Sequence, residues 1–105
     1  MNTINILGIN YTIEYVECVD KNEAKFGMTD FFNCKILIDK NLTPEKKEQV
    51  LLHEIIHCIC QELNLFELGE DENKVQSLAV ALHLTLKKNF ISSFSFEKEQ
   101  NLQQT

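Results

Sequence analysis

The sequence predicts an α+β domain in which a small, mostly antiparallel sheet of three or four strands packs on two helices. Two observations support this class. Segments before residue 40 alternate apolar and polar residues and are rich in β-branched and aromatic side chains, as half-buried strands are. After residue 43, apolar residues recur at three- and four-residue spacing, which is the period of a helix. A run of strands followed by a run of helices is typical of α+β domains.

The first two strands are predicted to form a hairpin. Residues 4–7 alternate over a short stretch, and residues 11–18 alternate again over a longer one. Residues 8–10 supply turn chemistry between them, so the two strands should pair in antiparallel fashion. Further along the chain, residues 26–30 suggest an irregular edge strand, and residues 33–39 form another strand.

A long helix is predicted from about residue 44 to residue 63. Thr43 suits its N-cap, Pro44 suits the first turn because the missing N–H costs nothing there, and Glu45 faces the positive end of the helix dipole. The first two turns are polar and are expected to be solvated. From Val50 onward the helix is apolar on nearly every side, which predicts burial.

A second helix is predicted from about residue 72 to residue 88. Gly69, in the break between the helices, suits a positive φ, and Asp71 suits the N-cap. The spacing of five apolar residues predicts the inward face of this helix: Val75, Leu78, Ala79, Leu82 and Leu86. Residues 1–90 are therefore predicted to form one domain, and residues 91–105 a C-terminal tail that is partly disordered.

The first helix contains His53-Glu54-Ile55-Ile56-His57, an H-E-x-x-H sequence. Residues four apart lie one above the other on a helix, so both imidazoles can face one metal ion. Glu54 lies on the flank of that face and can act as general base toward a zinc-bound water, whose pKa the ion lowers to about 7. If these polar groups were buried by chance and found no partner, each would lower the free energy of unfolding by about 1–3 kcal/mol. The motif therefore predicts a zinc site.

A catalytic zinc site needs a third protein ligand. Glu72 is the first choice, because it begins the second helix and its helical neighbours form the inward face. Glu70 and Asp71 are near alternatives, since a predicted helix start is uncertain by a few residues. His83 lies about three turns further along the same face and is a rival that would give a site of three histidines.

Composition limits the remaining possibilities. The chain has 105 residues, 44% of them apolar, which is enough for one core. Ten basic against 16 acidic residues give a net charge of −6, which argues against a nucleic-acid partner. The sequence shows neither a signal-peptide pattern nor an apolar stretch of membrane-spanning length. We therefore expect a cytoplasmic protein with no membrane partner.

The cysteines are expected to be reduced thiols, as in other cytoplasmic proteins. Cys58 and Cys60 are two apart on the predicted helix, so their side chains point in different directions and are expected to be apolar packing residues. Cys18 and Cys34 lie in separate strand candidates and could be neighbours.

Two segments resemble the zincin metallopeptidases, and in particular the ImmA/IrrE family and the small phage-encoded proteins related to it. Residues 51–57 match the H-E-x-x-H helix of that family. Residues 72–79 resemble its E-x-x-A-N-x-F-A segment, in which the glutamate is the third zinc ligand. Val75 and Gln76 stand where that family has alanine and asparagine.

The resemblance implies a minimal zincin-like domain that works as a zinc-dependent metallopeptidase on a protein or peptide substrate. His53, His57 and Glu72 would bind Zn²⁺, and Glu54 would be the catalytic general base. The strand at residues 33–39 would offer a sheet edge to an extended peptide.

Two other interpretations stay open. The domain could be a metal-stabilised, non-catalytic protein-binding module, or a metal-free domain whose histidines pack in the core. No motif fixes a residue that stabilises an oxyanion during hydrolysis. Tyr11, Tyr15 and His83 are candidates, and a structural role is the simpler interpretation of each.

Overall fold

The computed structural model of the protein describes residues 2–17, 19 and 25–90. It confirms the α+β class, with four strands and three helices in that order. The elements are β1 (Asn2–Ile6), β2 (Ile9–Val16), β3 (Gly27–Asp30), β4 (Lys35–Asp39), α1 (Pro44–Glu62), α2 (Phe66–Glu70) and α3 (Glu72–Asn89). Cys18 and the predicted tail at residues 91–105 lie outside the described residues. Within the described part, no helix combines the length and the apolar character of a membrane span.

The sheet is mixed, with the strand order β1-β2-β4-β3. The two outer pairings are antiparallel, but β2 and β4 in the centre run parallel. The prediction of a mostly antiparallel sheet therefore holds only for the outer pairings. The connection that carries β3 supplies the crossover that a parallel pair needs. Alternation of side chains assigns faces and not neighbours, so it could not show that β4 lies beside β2.

The hairpin of β1 and β2 turns at Leu7 and Gly8. Their φ angles are 52° and 90°, so both central residues have a positive φ, as in a type I′ turn. Asn5 Oδ1 accepts a hydrogen bond from the backbone N–H of Gly8 at 2.9 Å. The hairpin is thus confirmed, although its turn is shorter and earlier than predicted, because a leucine with positive φ has no recognisable sequence signal.

Helix α1 begins as predicted and packs on both the sheet and α3. Thr43 Oγ1 accepts a hydrogen bond from the backbone N–H of Lys46 at 3.3 Å. Cys58 is fully buried in the core against the sheet, whereas Cys60 is buried in the core against α3. Both are apolar packing residues, as predicted, and burial raises the pKa of the Cys58 thiol to about 12.

The predicted break between the long helices contains the short helix α2. Gly69 lies inside it and has no positive φ; the left-handed residue is Asn64, at φ 57°. A Cβ atom at Gly69 would lie 3.0 Å from Cys60 Cβ, so this glycine allows α2 to approach α1 closely. Five residues make too few turns for helical periodicity to be visible in the sequence.

The face of α3 that packs on α1 differs in part from the predicted face. Its buried residues are Val75, Ala79 and His83, which are spaced four apart. Leu78 and Leu82 were expected to face inward and are instead 43% and 42% exposed. Both stripes have helical spacing, so periodicity alone could not choose between them, and a histidine does not count as apolar in such a pattern.

Candidate metal centre

Helices α1 and α3 bring three predicted ligands together. His53 Nε2 and His57 Nε2 are 3.1 Å apart, and the two Glu72 carboxylate oxygens each lie 3.0 Å from one of these nitrogens. Ligand bonds of 2.0–2.1 Å in a tetrahedral zinc site separate the ligand atoms by about 3.3 Å. The three residues, called the ligand group below, could therefore hold one metal ion, and the spacing of their donor atoms is close to that of zinc ligands.

Local structure explains why these side chains meet. His53 and His57 lie one turn apart on α1, so their ring centroids are only 4.9 Å apart. Asp71 caps α3 by accepting a hydrogen bond from the Lys74 backbone N–H at 3.1 Å, which places Glu72 in the first turn, facing α1. The imidazoles are largely buried, whereas Glu72 is exposed and closes the group from the solvent side.

None of the alternative third ligands joins the two histidines. Asp71 uses its carboxylate as the cap of α3. Glu70 ends α2 and is absent from the metal-binding group found among the described residues. His83 Nε2 contacts Glu48 Oε2 at 3.2 Å in a separate buried cluster. The geometry therefore favours Glu72.

A glutamine on α3 fixes the orientation of one imidazole. His53 Nδ1 lies 2.7 Å from Gln76 Oε1. Because an amide oxygen can only accept, this hydrogen bond requires the proton on Nδ1, and in the neutral ring it leaves the Nε2 lone pair toward His57 and Glu72. Gln76 Nε2 donates to Gln49 Oε1 at 3.4 Å, and Lys46 Nζ donates to the same oxygen at 3.1 Å. No motif in the sequence marks Gln76 as part of the site, although its position one helical turn after Glu72 is a signal that could have pointed to it.

Glu54 lies beside the ligand group and is 7% exposed. The Thr29 hydroxyl donates to Glu54 Oε1 at 2.8 Å. Burial raises the pKa of the Glu54 carboxyl above its usual value, and this effect exceeds the opposing effects of the Thr29 hydrogen bond and the nearby imidazoles. A carboxyl with a raised pKa is suited to take up a proton and then return it. No motif marked Thr29, because only the packing of β3 on α1 brings it to the glutamate.

A glycine sets the distance between the sheet and Glu54. A Cβ atom at Gly27 would lie 2.6 Å from Val50 Cγ1 and 3.4 Å from Glu54 Cγ. The first distance is shorter than side chains tolerate, so β3 can come this close to α1 only with a glycine here.

A pocket of about 640 Å³ lies over the ligand group, between β3 and α1. The edge strand beside it is β3, whereas the predicted edge, β4, is paired on both sides. The Asp39 backbone N–H donates to Phe26 O at 2.8 Å, so the backbone groups of Phe26 face β4. Because the orientation repeats every two residues in an antiparallel pair, the backbone groups of Met28 face β4 as well. By the alternation of an antiparallel pair, those of Gly27 and Thr29 point to the outer side of β3, which no other strand in the described part of the chain covers and which is called the open edge below.

The chain matches no protein-family model, no curated protein and no solved structure. The zincin resemblance therefore rests on the two sequence segments alone. The three candidates for stabilising an oxyanion do not line the pocket. Tyr11 is buried with its hydroxyl 3.4 Å from Glu62, and the Tyr15 ring lies under Lys47 Nζ, 5.3 Å from its centroid.

A second buried polar cluster joins α1 to α3. The carboxylate of Glu48 contacts His83 Nε2 at 3.2 Å and Lys87 Nζ at 3.2 and 3.3 Å. The expectation that the first two turns of α1 are solvated is therefore wrong for Glu48, which the end of α3 covers. The sequence could not show this contact, because its partners lie 35 and 39 residues away.

We expect Glu48→Ala to lower the free energy of unfolding of the metal-free protein by about 3 kcal/mol, because it removes a buried carboxylate that contacts both the His83 ring and the partly buried Lys87 ammonium. Urea denaturation followed by circular dichroism measures this loss. Glu45→Ala removes an exposed carboxylate from the same helix and should cost less than about 1 kcal/mol. Equal losses in the two variants would contradict the role of the cluster.

Proposed function

We propose that the protein is a zinc-dependent metallopeptidase that hydrolyses peptide bonds in a protein or peptide substrate. The observation that carries the proposal is the convergence of His53, His57 and Glu72 on one point, with the buried carboxylate of Glu54 beside them. All four residues line one pocket, and an open sheet edge runs along it.

Each side chain has a separate task in this proposal. His53, His57 and Glu72 hold the ion, and Gln76 keeps His53 in the tautomer that leaves Nε2 free to bind. A bound zinc ion supplies Lewis acidity, which polarises a peptide carbonyl and lowers the pKa of a water molecule to about 7. Glu54 accepts the proton of the attacking water and then delivers it to the leaving amine.

The open edge of β3 is the proposed binding surface for the substrate backbone. The outward N–H and C=O groups of Gly27 and Thr29 can pair with an extended peptide as an added strand. Because Thr29 also donates to Glu54, a peptide held there lies beside the general base.

One observation favours the alternative of a metal-stabilised, non-catalytic binding module. Tyr11, Tyr15 and His83, the candidates for stabilising an oxyanion, all lie outside the pocket lining. In that alternative the ion would stabilise the packing of α1 on α3, and the open edge of β3 would bind a partner without cleaving it.

The proposal is tested by comparing metal-free protein with protein reloaded with zinc. Both samples are incubated with casein and with a library of unstructured peptides, and products are identified by mass spectrometry. We expect cleavage by the zinc-loaded sample, loss of cleavage on addition of a chelator, and recovery when zinc is restored. Binding of about one zinc ion per chain without any cleavage would overturn the peptidase and support the binding module.

A further inference from the structure

The pocket extends along α1 beyond the ligand group. That part is lined by Lys25, Phe26 and Lys46. The Phe26 ring is half exposed, and Lys46 Nζ lies 5.6 Å from its centroid. Two cations and one aromatic ring thus line this end of the pocket, although the whole chain has a net charge of −6.

The negative charges in the pocket wall are already engaged at its other end. Glu72 contacts both histidines, and Glu54 accepts a hydrogen bond from Thr29. Lys46, by contrast, donates to a neutral partner, the side-chain oxygen of Gln49. Its charge can therefore act on a group that enters the pocket.

The distance between Lys46 and the ligand group corresponds to a definite number of peptide residues. Lys46 precedes His53 by seven positions on α1, which is about 10.5 Å along the helix axis. An extended peptide advances about 3.4 Å per residue, so this distance corresponds to about three residues. A peptide lying along the open edge of β3 would pass both points.

We propose that the end of the pocket formed by Phe26 and Lys46 is a subsite for an acidic side chain of the substrate, about three residues from the bond that is cut. The inference rests on the proposed peptidase function and names its substrate class, an extended peptide with a carboxylate at that distance. The carboxylate pairs with the Lys46 ammonium, and the exposed Phe26 face covers the apolar part of the neighbouring residue.

The test uses fluorogenic peptides that share one sequence and carry aspartate, asparagine or lysine at one position, two to four residues to either side of the cleaved bond. At low ionic strength we expect zinc-loaded wild type to cleave the best aspartate peptide with a kcat/KM about fivefold above that of its lysine counterpart. Lys46→Glu should reverse this order. Lys88→Glu makes the same charge change at the exposed end of α3, outside the pocket lining, and should leave the order unchanged.

Binding of the same peptides is measured separately by fluorescence anisotropy, with Glu54→Gln protein and with the double variant that adds Lys46→Glu. Cleavage without any charge preference, or a preference that survives Lys46→Glu, would overturn the subsite and leave the peptidase standing. Binding that prefers aspartate and depends on Lys46, without cleavage by wild type, would support the subsite and overturn the peptidase. Absence of charge-dependent binding and cleavage alike would overturn the subsite.

Discussion

Glu54→Gln should lower kcat/KM for peptide hydrolysis by about 10²–10⁴-fold while the zinc content stays at about one ion per chain. Glutamine has nearly the same shape as glutamate, and its oxygen can still accept the Thr29 hydrogen bond. It cannot accept the proton of the attacking water, so only the acid–base function is removed. The measurements are steady-state kinetics on a cleaved peptide and elemental analysis of the purified variant.

Glu45→Gln is the matched control, since it makes the same change on the exposed first turn of the same helix. Its activity and zinc content should equal those of the wild type. If Glu54→Gln retained wild-type hydrolysis, Glu54 would not be the general base and its hydrogen bond with Thr29 would be only structural. If the variant lost zinc as well as activity, Glu54 would contribute to holding the ion.

Glu72→Ala should weaken zinc binding by more than about 100-fold, the upper value for loss of a residue that only supports a ligand. The carboxylate lies 3.0 Å from both imidazole nitrogens, and the metal-binding group found among the described residues contains no other carboxylate. Affinity is measured by competition with a chromophoric chelator, after circular dichroism has confirmed that the variant is folded.

The alternative ligands supply the controls for this experiment. Glu70→Ala removes a neighbouring carboxylate outside the metal-binding group and should keep wild-type affinity. His83→Ala should also keep zinc, because His83 contacts Glu48 instead. Zinc retained by Glu72→Ala but lost by either of the other two variants would refute the ligand assignment.

Local signals in the sequence predicted the helices better than the sheet. Thr43 and Asp71 act as the expected caps, because a capping hydrogen bond joins residues three apart and is visible in the sequence. The neighbour relation of β2 and β4 depends instead on how distant segments dock. Alternation of side chains contains no information on it, so the parallel pairing could not be predicted.

The residues of the candidate site likewise fall into those that a local sequence pattern marks and those that only tertiary packing brings together. His53, Glu54 and His57 could be predicted because one helical turn relates them, and Glu72 because it begins the next long helix. Thr29 and Gln76 reach the site only after β3 and α3 have packed on α1. Their roles therefore depend on tertiary contacts that no short motif encodes.

The short distance between β3 and α1 gives the proposed enzyme a means of choosing where it cuts. Thr29 fixes Glu54 to the same strand whose open edge would pair with the substrate. The base and the pairing edge are thus preorganised relative to each other before a peptide arrives. A slip of one residue in pairing register turns every substrate side chain to the opposite face, so productive registers should differ by about two residues. Alternative cleavage sites within one flexible substrate would then be spaced by even numbers of residues.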